Sequence, residues 1–226
     1  IVTPEERAGG VRALLQDVTV HPMMGLYLSH LRNQKEDPAS GRVPDENYAR
    51  EVMQLFSIGL VQLNADGSTK LNLDGKPIET YGPKDIAGLA KVFTGWSWDG
   101  PDTGDARYHG WGAEWADPAR YYTAMQGYTQ FHSISEKRFL GAKVAAQTRA
   151  DPYASLKTAM DTLAAHPNVG PFLGKQLIQR LVTSNPSPAY VGRVSAAFGS
   201  GGDMKAMLRA VLLDPEARDA KLAAGK

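Results

Sequence analysis

The chain contains no cysteine among its 226 residues. This absence excludes disulfide bonds, thiol catalysis and metal sites built from thiolate ligands. The 25 Lys and Arg residues nearly balance the 24 Asp and Glu residues, which gives a formal net charge of +1. So small a net charge provides no electrostatic argument for binding nucleic acid or an acidic membrane surface.

Long apolar runs are also missing, and no stretch of the sequence is long enough to cross a bilayer as a helix. The sequence has no Gly-rich phosphate loop, no Gly-x-Ser-x-Gly motif and no His-Glu-x-x-His motif. Its hydrophobic share of 42% is ordinary and sufficient for a sizeable core. We therefore predict a globular protein and no cofactor.

The most informative stretch is PDENYAREVMQLFSIGL at 44–60. Pro44 suits a first helical turn, and Asp45 and Glu46 place negative charge at the positive end of the helix dipole. Gly59 can adopt the left-handed conformation that ends a helix. The pattern predicts one helix across this stretch.

The polar face of this predicted helix has two interpretations. It carries Glu46, Asn47, Arg50 and Glu51. One interpretation is a solvated face with ordinary i,i+4 pairs. The other is a partly buried cluster that holds loops or binds a ligand, and acid–base chemistry there would require burial to separate the pKa values of the carboxyl groups.

The whole pattern predicts a mainly α fold, with residues 1–226 forming a single helical domain. We expect helices over 1–60, and an antiparallel β-meander over about 61–81, where Asp66-Gly67 and Asp74-Gly75 are typical hairpin turns. Residues 82–150 should form a helix followed by irregular loops. Apolar spacing and short connections predict an array of antiparallel helices over 151–226.

The irregular region between Trp96 and Ser135 is rich in aromatic residues. All four tryptophans of the chain lie in it, whereas disordered segments are poor in aromatics. Flat aromatic faces beside carboxylates suit sugar rings, but the same residues could equally form a satellite core. The candidate ligand-binding residues are Asn47, Trp96, Trp98, Trp111, Trp115, Tyr121 and Tyr122.

His132, Glu136 and Lys137 form a second constellation. A His and a Glu at i,i+4 could share a proton or bind a metal if the segment were helical, although two ligands are too few for a closed zinc site. The alternative is a hydrogen-bonded loop histidine with Lys137 paired to a carboxylate. The candidate catalytic residues are Glu46, Arg50, Glu51, His132 and Glu136.

Several blocks together resemble one bacterial family. They occur in the order DVTVHPMMGLYL at 17–28, the stretch 44–60, LNADG at 63–67, FTGW at 93–96, His132 with EKRFLG at 136–141, HPNV at 166–169, RLV at 180–182 and DPEAR at 214–218. In this order and spacing they resemble the bacterial domain-of-unknown-function family 1800. The resemblance extends over most of the chain.

The resemblance implies an exported protein, periplasmic or extracellular. It also implies that this chain corresponds to the C-terminal half of longer proteins, which agrees with a sequence that starts at Ile1 without Met. Members often accompany a family related to sulfatases and phosphatases, which is one possible partner. The family brings no activity, and Ser133 stands where many relatives have Asp after the His.

Two functions follow from these observations. The first is a non-catalytic binding or assembly module of the cell envelope, with a glycan or a protein partner, which predicts exposed aromatics. The second is a hydrolase acting on an envelope or extracellular polymer. That hypothesis predicts a pocket joining Glu46, Arg50 and Glu51 to His132 and Glu136.

Overall fold

The computed structural model describes residues 10–111 and 118–219. Over these residues the fold is mainly α, as predicted, with two small antiparallel sheets. The helices are α1 (Val11–Thr19), α2 (Pro22–Tyr27), α3 (Asn47–Gln54), α4 (Pro83–Ala90), α5 (Asp105–His109), α6 (Pro152–Ala164), α7 (Val169–Leu181), α8 (Pro188–Phe198), α9 (Met204–Leu213) and α10 (Pro215–Arg218). The strands are β1 (Trp96–Ser97), β2 (Gln126–Gly127), β3 (Lys137–Phe139) and β4 (Ala142–Val144).

The chain divides into two compact units. Of the described residues, the first unit takes in 10–14, 53–80 and 163–219, and the second takes in 15–52, 81–111 and 118–162. Within the described ranges, none of the helices combines the length and apolar character needed to cross a bilayer.

In the first unit, α7, α8 and α9 pack against one another as the predicted helical array. The sequence determines where two of them start, because the Ser187 hydroxyl accepts from the Tyr190 N–H and the Asp203 carboxylate accepts from the Ala206 N–H. The core of this unit is aliphatic and aromatic. It includes Ile58, Leu163, Val169, Ile178, Tyr190, Val194, Met207 and Val211.

The predicted β-meander lies in the same unit. It consists of three isolated antiparallel bridges, Val61 with Glu79, Leu63 with Thr69, and Leu71 with Pro77. Gly67 and Gly75 have φ of 75° and 74° at the two turns, where a side chain would be strained.

One buried side chain fixes the start of this meander. The amide nitrogen of Asn168 donates to the carbonyl oxygens of Ile58 and Val61, at 2.8 and 2.7 Å, and its amide oxygen accepts from the Leu63 N–H at 2.9 Å. Asn168 is 1% exposed. Its three hydrogen bonds therefore satisfy backbone groups that no strand partner reaches.

In the second unit, α4 packs against β3. β3 pairs with β4 in the register Lys137 with Val144, Arg138 with Lys143 and Phe139 with Ala142. β1 pairs with β2, with Trp96 opposite Gly127. The core is strongly aromatic and includes Tyr48, Phe93, Tyr108, Tyr128 and Phe139.

The helix that contains Asn47 is shorter than predicted. The helix predicted over 44–60 is α3, Asn47–Gln54, because the Asp45 carboxylate accepts from the Asn47 N–H at 2.7 Å and so lies before the first turn. Pro44 is therefore outside the helix. Gly59 does end the segment in the left-handed conformation, with φ of 71°, and its N–H donates to the Met53 carbonyl at 2.9 Å.

Candidate functional site

The polar face of α3 lies on the surface. Glu46 and Arg50 form an i,i+4 ion pair at 3.7 Å with both side chains nearly half exposed. The Asn47 amide donates to the Leu28 carbonyl at 3.2 Å, so this side chain fixes the end of α2. Such an exposed pair contributes about 0.3–0.5 kcal/mol, and Glu51 is half-buried beside it.

Glu136 is also a partly exposed residue with two cationic partners. Its carboxylate pairs with Arg138 at 2.5 Å and with Lys143 at 2.9 Å. The hydrogen bonds from these two side chains lower the pKa of Glu136. Among the described residues, no hydrogen bond or ion pair joins Glu136 or His132 to Glu46, Arg50 or Glu51.

His132 lies at the centre of a buried polar network. It is 0% exposed, with Nδ1 at 2.8 Å from the Thr94 carbonyl oxygen and Nε2 at 3.0 Å from the Ser155 hydroxyl. Because a carbonyl oxygen only accepts, Nδ1 carries the proton and Nε2 is an acceptor. The Ser155 hydroxyl has two acceptors for its one proton, Nε2 of His132 and the Asp151 carbonyl oxygen at 2.9 Å. Burial lowers the pKa of His132 to about 4, against the opposing effect of the Thr94 carbonyl. The imidazole is therefore neutral at pH 7.

Lys137 is the first residue of β3, which follows the loop that carries His132. Its side chain is also fully buried. Its ammonium donates to the carbonyl oxygens of Ser133 and Ser135 at 2.7 and 3.3 Å, and to the Gln147 side chain at 3.4 Å. Burial lowers the pKa of Lys137 to about 8, although the Glu36 carboxylate acts in the opposite direction.

Glu36 completes this network, which we call the His132 network: His132, Ser155, Lys137, Glu36, Ser133 and Ser135. One carboxylate oxygen of Glu36 accepts from the hydroxyls of Ser133 and Ser135. Burial alone would raise the pKa of Glu36, but these hydrogen bonds and Lys91 outweigh it and lower the pKa. Ser133, singled out in the sequence because it replaces Asp, thus donates to a carboxylate instead of supplying one.

The chemistry available to the His132 network is limited by access. A serine hydroxyl can be activated as a nucleophile by a neutral histidine beside it when an acceptor holds the Nδ1 proton of that histidine. However, both Ser155 and His132 are 0% exposed, so a polymer cannot reach either group in this conformation. Among the described residues, no three His, Asp or Glu side chains are grouped closely enough to hold a metal ion.

The candidate aromatic residues separate into two classes. Trp96 and Trp98 are buried, at 2% and 7% exposure. Trp96 packs edge-on against Tyr153, and its indole N–H donates to the Val92 carbonyl at 3.3 Å. These two residues belong to the satellite core. Trp115 lies outside the described residues.

Trp111, Tyr121 and Tyr122 are exposed instead. The Arg120 guanidinium lies 4.5 Å from the centre of the Tyr121 ring and 5.5 Å from that of Trp98. Tyr121 therefore lies beside both the buried Trp98 ring and the Arg120 guanidinium. Tyr122 is 68% exposed.

Trp111 heads an ordered series of rings, which we call the Trp111 stack: Trp111, His109, Phe131 and Tyr108. The Trp111 and His109 rings are stacked, with centroids 4.6 Å apart and planes inclined by 17°. His109 meets Phe131 edge-on at 5.5 Å, and Phe131 stacks on the buried Tyr108 ring at 3.8 Å. The outermost ring, Trp111, is 65% exposed.

The backbone holds this stack in place. α5 ends at Gly110, whose left-handed conformation lets the Trp111 N–H donate back to the Ala106 carbonyl at 2.7 Å. The Tyr108 hydroxyl donates to the Asn33 carbonyl at 3.1 Å, and the Ser97 hydroxyl donates to the Tyr108 carbonyl at 2.7 Å. The stack is thus a preorganised aromatic surface, which the sequence indicated only as an aromatic-rich region.

Sequence reasoning missed a groove beside α2. It has a volume of ≈ 410 Å³ and is lined by Asp17, Val18, His21, Met23, Met24 and Tyr27. Met23, Met24 and Tyr27 have the spacing of buried helical positions, but α2 ends at Tyr27, and Tyr27 is 77% exposed. The positive φ of Ser29 and Arg32, 62° and 65°, turns the chain away after it.

Neither the curated proteins nor the solved structures include a match to this chain. One family model, described as "Protein of unknown function (DUF1800)", matches residues 5–226. This match covers nearly the whole chain and confirms the resemblance predicted from the ordered sequence blocks. The chain belongs to the DUF1800 family.

Proposed function

We propose that this chain is a binding module of the bacterial cell envelope that recognises a glycan through the Trp111 stack. The observation that carries the proposal is the 65% exposure of Trp111 on a ring that is stacked at 4.6 Å on His109. A large aromatic side chain held flat by other rings offers a sugar a rigid apolar face at little cost in conformational entropy.

Two further features support a binding role. The rings beneath Trp111 are fixed by backbone hydrogen bonds, so little ordering is needed when a ligand binds. The titratable residues predicted for catalysis either form exposed pairs, as Glu46 and Glu136 do, or are buried, as His132 is. The location in the envelope is the part of the proposal that rests on family resemblance.

The test is a glycan-array screen of the full chain, followed by titration calorimetry on each positive glycan. We expect Trp111→Ala to weaken binding by about 1–3 kcal/mol, in the range found for stacked aromatic contacts. Tyr27→Ala is the matched control, since Tyr27 is an equally exposed aromatic outside the stack. The absence of any bound glycan, or equal affinities for Trp111→Ala and the unmodified chain, would contradict the proposal.

A hydrolase acting on an envelope or extracellular polymer is the second candidate. The observation that favours it is the Ser155 hydroxyl placed 3.0 Å from Nε2 of His132, with the Nδ1 proton held by the Thr94 carbonyl. This function requires the buried network to open to its substrate. Cleavage of ester or amide bonds in an envelope polymer by the unmodified chain, abolished in His132→Gln but retained in Trp111→Ala, would favour the hydrolase over the binding module.

A further inference from the structure

An arginine contacts the backbone of the Trp111 stack. The Arg32 guanidinium donates to the His109 carbonyl at 3.0 Å, so it lies next to the residue on whose ring Trp111 stacks. The positive charges of Arg32 and Arg42 both oppose the rise in the pKa of Tyr108 that burial causes. Both arginines are exposed.

Arg32 has an unused capacity for hydrogen bonds. Among the described residues, no carboxylate lies within ion-pair distance of its guanidinium, and a single contact, to the His109 carbonyl, is made by a group with five N–H donors. The acidic residues of the neighbourhood have other partners: Asp102 pairs with Arg107 at 3.0 Å, and Asp37 accepts from Ser40 and faces Arg42. Among the described residues of α5, Asp105, one helical turn before His109, would oppose an anion there.

The backbone at Arg32 is held in a conformation that arginine disfavours. Its φ is 65°, a left-handed value that residues with a side chain rarely adopt. The Arg32 N–H donates to the Trp96 carbonyl at 2.8 Å, which fixes this conformation and directs the side chain to the stack. Glycine would fit this backbone conformation without strain.

We infer that the glycan recognised by the Trp111 stack is anionic, and that Arg32 binds its carboxylate or phosphate group while Trp111 stacks on the sugar ring. A guanidinium matches both anions with two parallel N–H donors, and such charge-assisted bonds are about twice as strong as neutral ones. This inference rests on the proposed glycan-binding function and adds to it the chemical class of the ligand.

The test compares three probes on the full chain by calorimetry: a mannose pentamer, the mannuronate pentamer of the same linkage, and a mannose pentamer bearing one phosphate. We expect at least one acidic pentamer to bind about tenfold tighter than the neutral one, and its affinity to fall with added salt. Arg32→Gly should remove this preference, so that the acidic and neutral pentamers bind with equal affinity. The uronate and phosphate probes distinguish the two sources of the anion.

Two variants keep the experiment decisive. Arg32→Gly should unfold at the same temperature or higher, because glycine suits the left-handed backbone, and Arg32→Gln provides a second removal of the charge if the glycine variant fails to fold. Arg138→Gln is the matched control, since Arg138 is an exposed arginine paired with Glu136, and it should keep the preference.

The outcomes separate this inference from the proposed function. Equal binding of neutral and acidic pentamers, lost in Trp111→Ala, would overturn the anionic ligand and leave the glycan-binding function standing. An acidic preference that survives both Arg32 variants would also overturn the inference. No binding of any pentamer, together with a negative glycan screen, would overturn both.

Discussion

At the scale of single residues, Lys137 shows most clearly how one side chain affects the stability of the fold. Its side chain is fully buried, yet its ammonium satisfies two backbone carbonyl oxygens in the loop that carries His132. A buried amine without partners would be costly. Here the hydrogen bonds and the nearby Glu36 carboxylate offset part of that cost, and burial still lowers the pKa of Lys137.

We therefore expect Lys137→Met to destabilise the chain although methionine preserves much of the side-chain volume. The substitution leaves the Ser133 carbonyl buried without its donor, and such an unsatisfied group costs about 1–3 kcal/mol. The free energy of unfolding from urea denaturation measures this loss. Lys143→Met is the control, since Lys143 is about half exposed in the paired strand β4, and it should change stability by less than about 0.5 kcal/mol. Equal stability of the two variants would contradict the role assigned to Lys137.

At the scale of secondary-structure elements, the contact between α4 and β3 depends on the absence of a side chain at Gly88. A Cβ built on Gly88 would lie 1.8 Å from the Arg138 carbonyl oxygen, and that oxygen belongs to backbone, which cannot rotate away. The close approach of the helix to the strand therefore requires glycine.

Gly88→Ala should consequently destabilise the chain by about 3 kcal/mol or more, at the upper end of overpacking effects. Gly192 in α8 is a matched helical glycine whose added Cβ would meet its nearest atom at 3.8 Å. Gly192→Ala should stabilise by about 0.5–1 kcal/mol, because alanine loses less backbone entropy in a helix. Thermal unfolding tests whether Gly88→Ala lowers the stability and Gly192→Ala raises it. A Gly88→Ala variant as stable as the unmodified chain would refute the close contact.

Local signals in the sequence were sufficient for the elements whose ends are determined by their own residues. Ser187 and Asp203 begin their helices because each side chain accepts from an N–H three residues later, as the usual N-cap residues do. α3 begins later than predicted. The local sequence allows a start with Pro44 in the first turn or with Asp45 as the cap, and the tertiary structure selects Asp45. α2 ends early because Ser29 and Arg32 adopt positive φ, which no local pattern indicates for these residue types.

The sites were less predictable for a related reason. Exposure is a property of tertiary packing, so one aromatic-rich region produced both the buried Trp96 and the exposed Trp111. Likewise, the sequence placed His132 near Glu136, but its contacts are with Thr94 and Ser155, which lie 38 and 23 positions away along the chain. Arg32 was not predicted at all, because its neighbour His109 is 77 positions away.

At the scale of the whole molecule, two buried neutral histidines make stability depend on pH. Burial lowers the pKa of both His30 and His132 from 6.5 to about 4. The Nε2 atom of His30 lies 2.8 Å from the Thr19 carbonyl and therefore carries the proton, while its buried Nδ1 has no hydrogen-bond partner. Protonation at Nδ1 would thus create a buried charge with no acceptor, even though Asp45 favours the charged form.

The sign of the effect follows from linkage. Between about pH 6.5 and pH 4 the unfolded chain binds protons that the folded chain does not, so the free energy of unfolding should fall as the pH falls through this range. Each histidine contributes up to about 1.4 kcal/mol per pH unit. The lowered pKa values of Glu36 and Asp214 add a loss of the same sign at still lower pH.

Urea denaturation at a series of pH values from 7.5 to 4.5 measures this slope, and single replacements assign it. His30→Phe keeps an aromatic ring on Tyr48, on which His30 stacks at 3.9 Å, and His132→Gln keeps a polar group in the network. Each variant starts from a lower stability at pH 7, since each loses a buried hydrogen bond, but its curve should be shallower by about 1.4 kcal/mol per pH unit. Slopes identical to that of the unmodified chain in both variants would show that neither histidine is kept neutral by the fold.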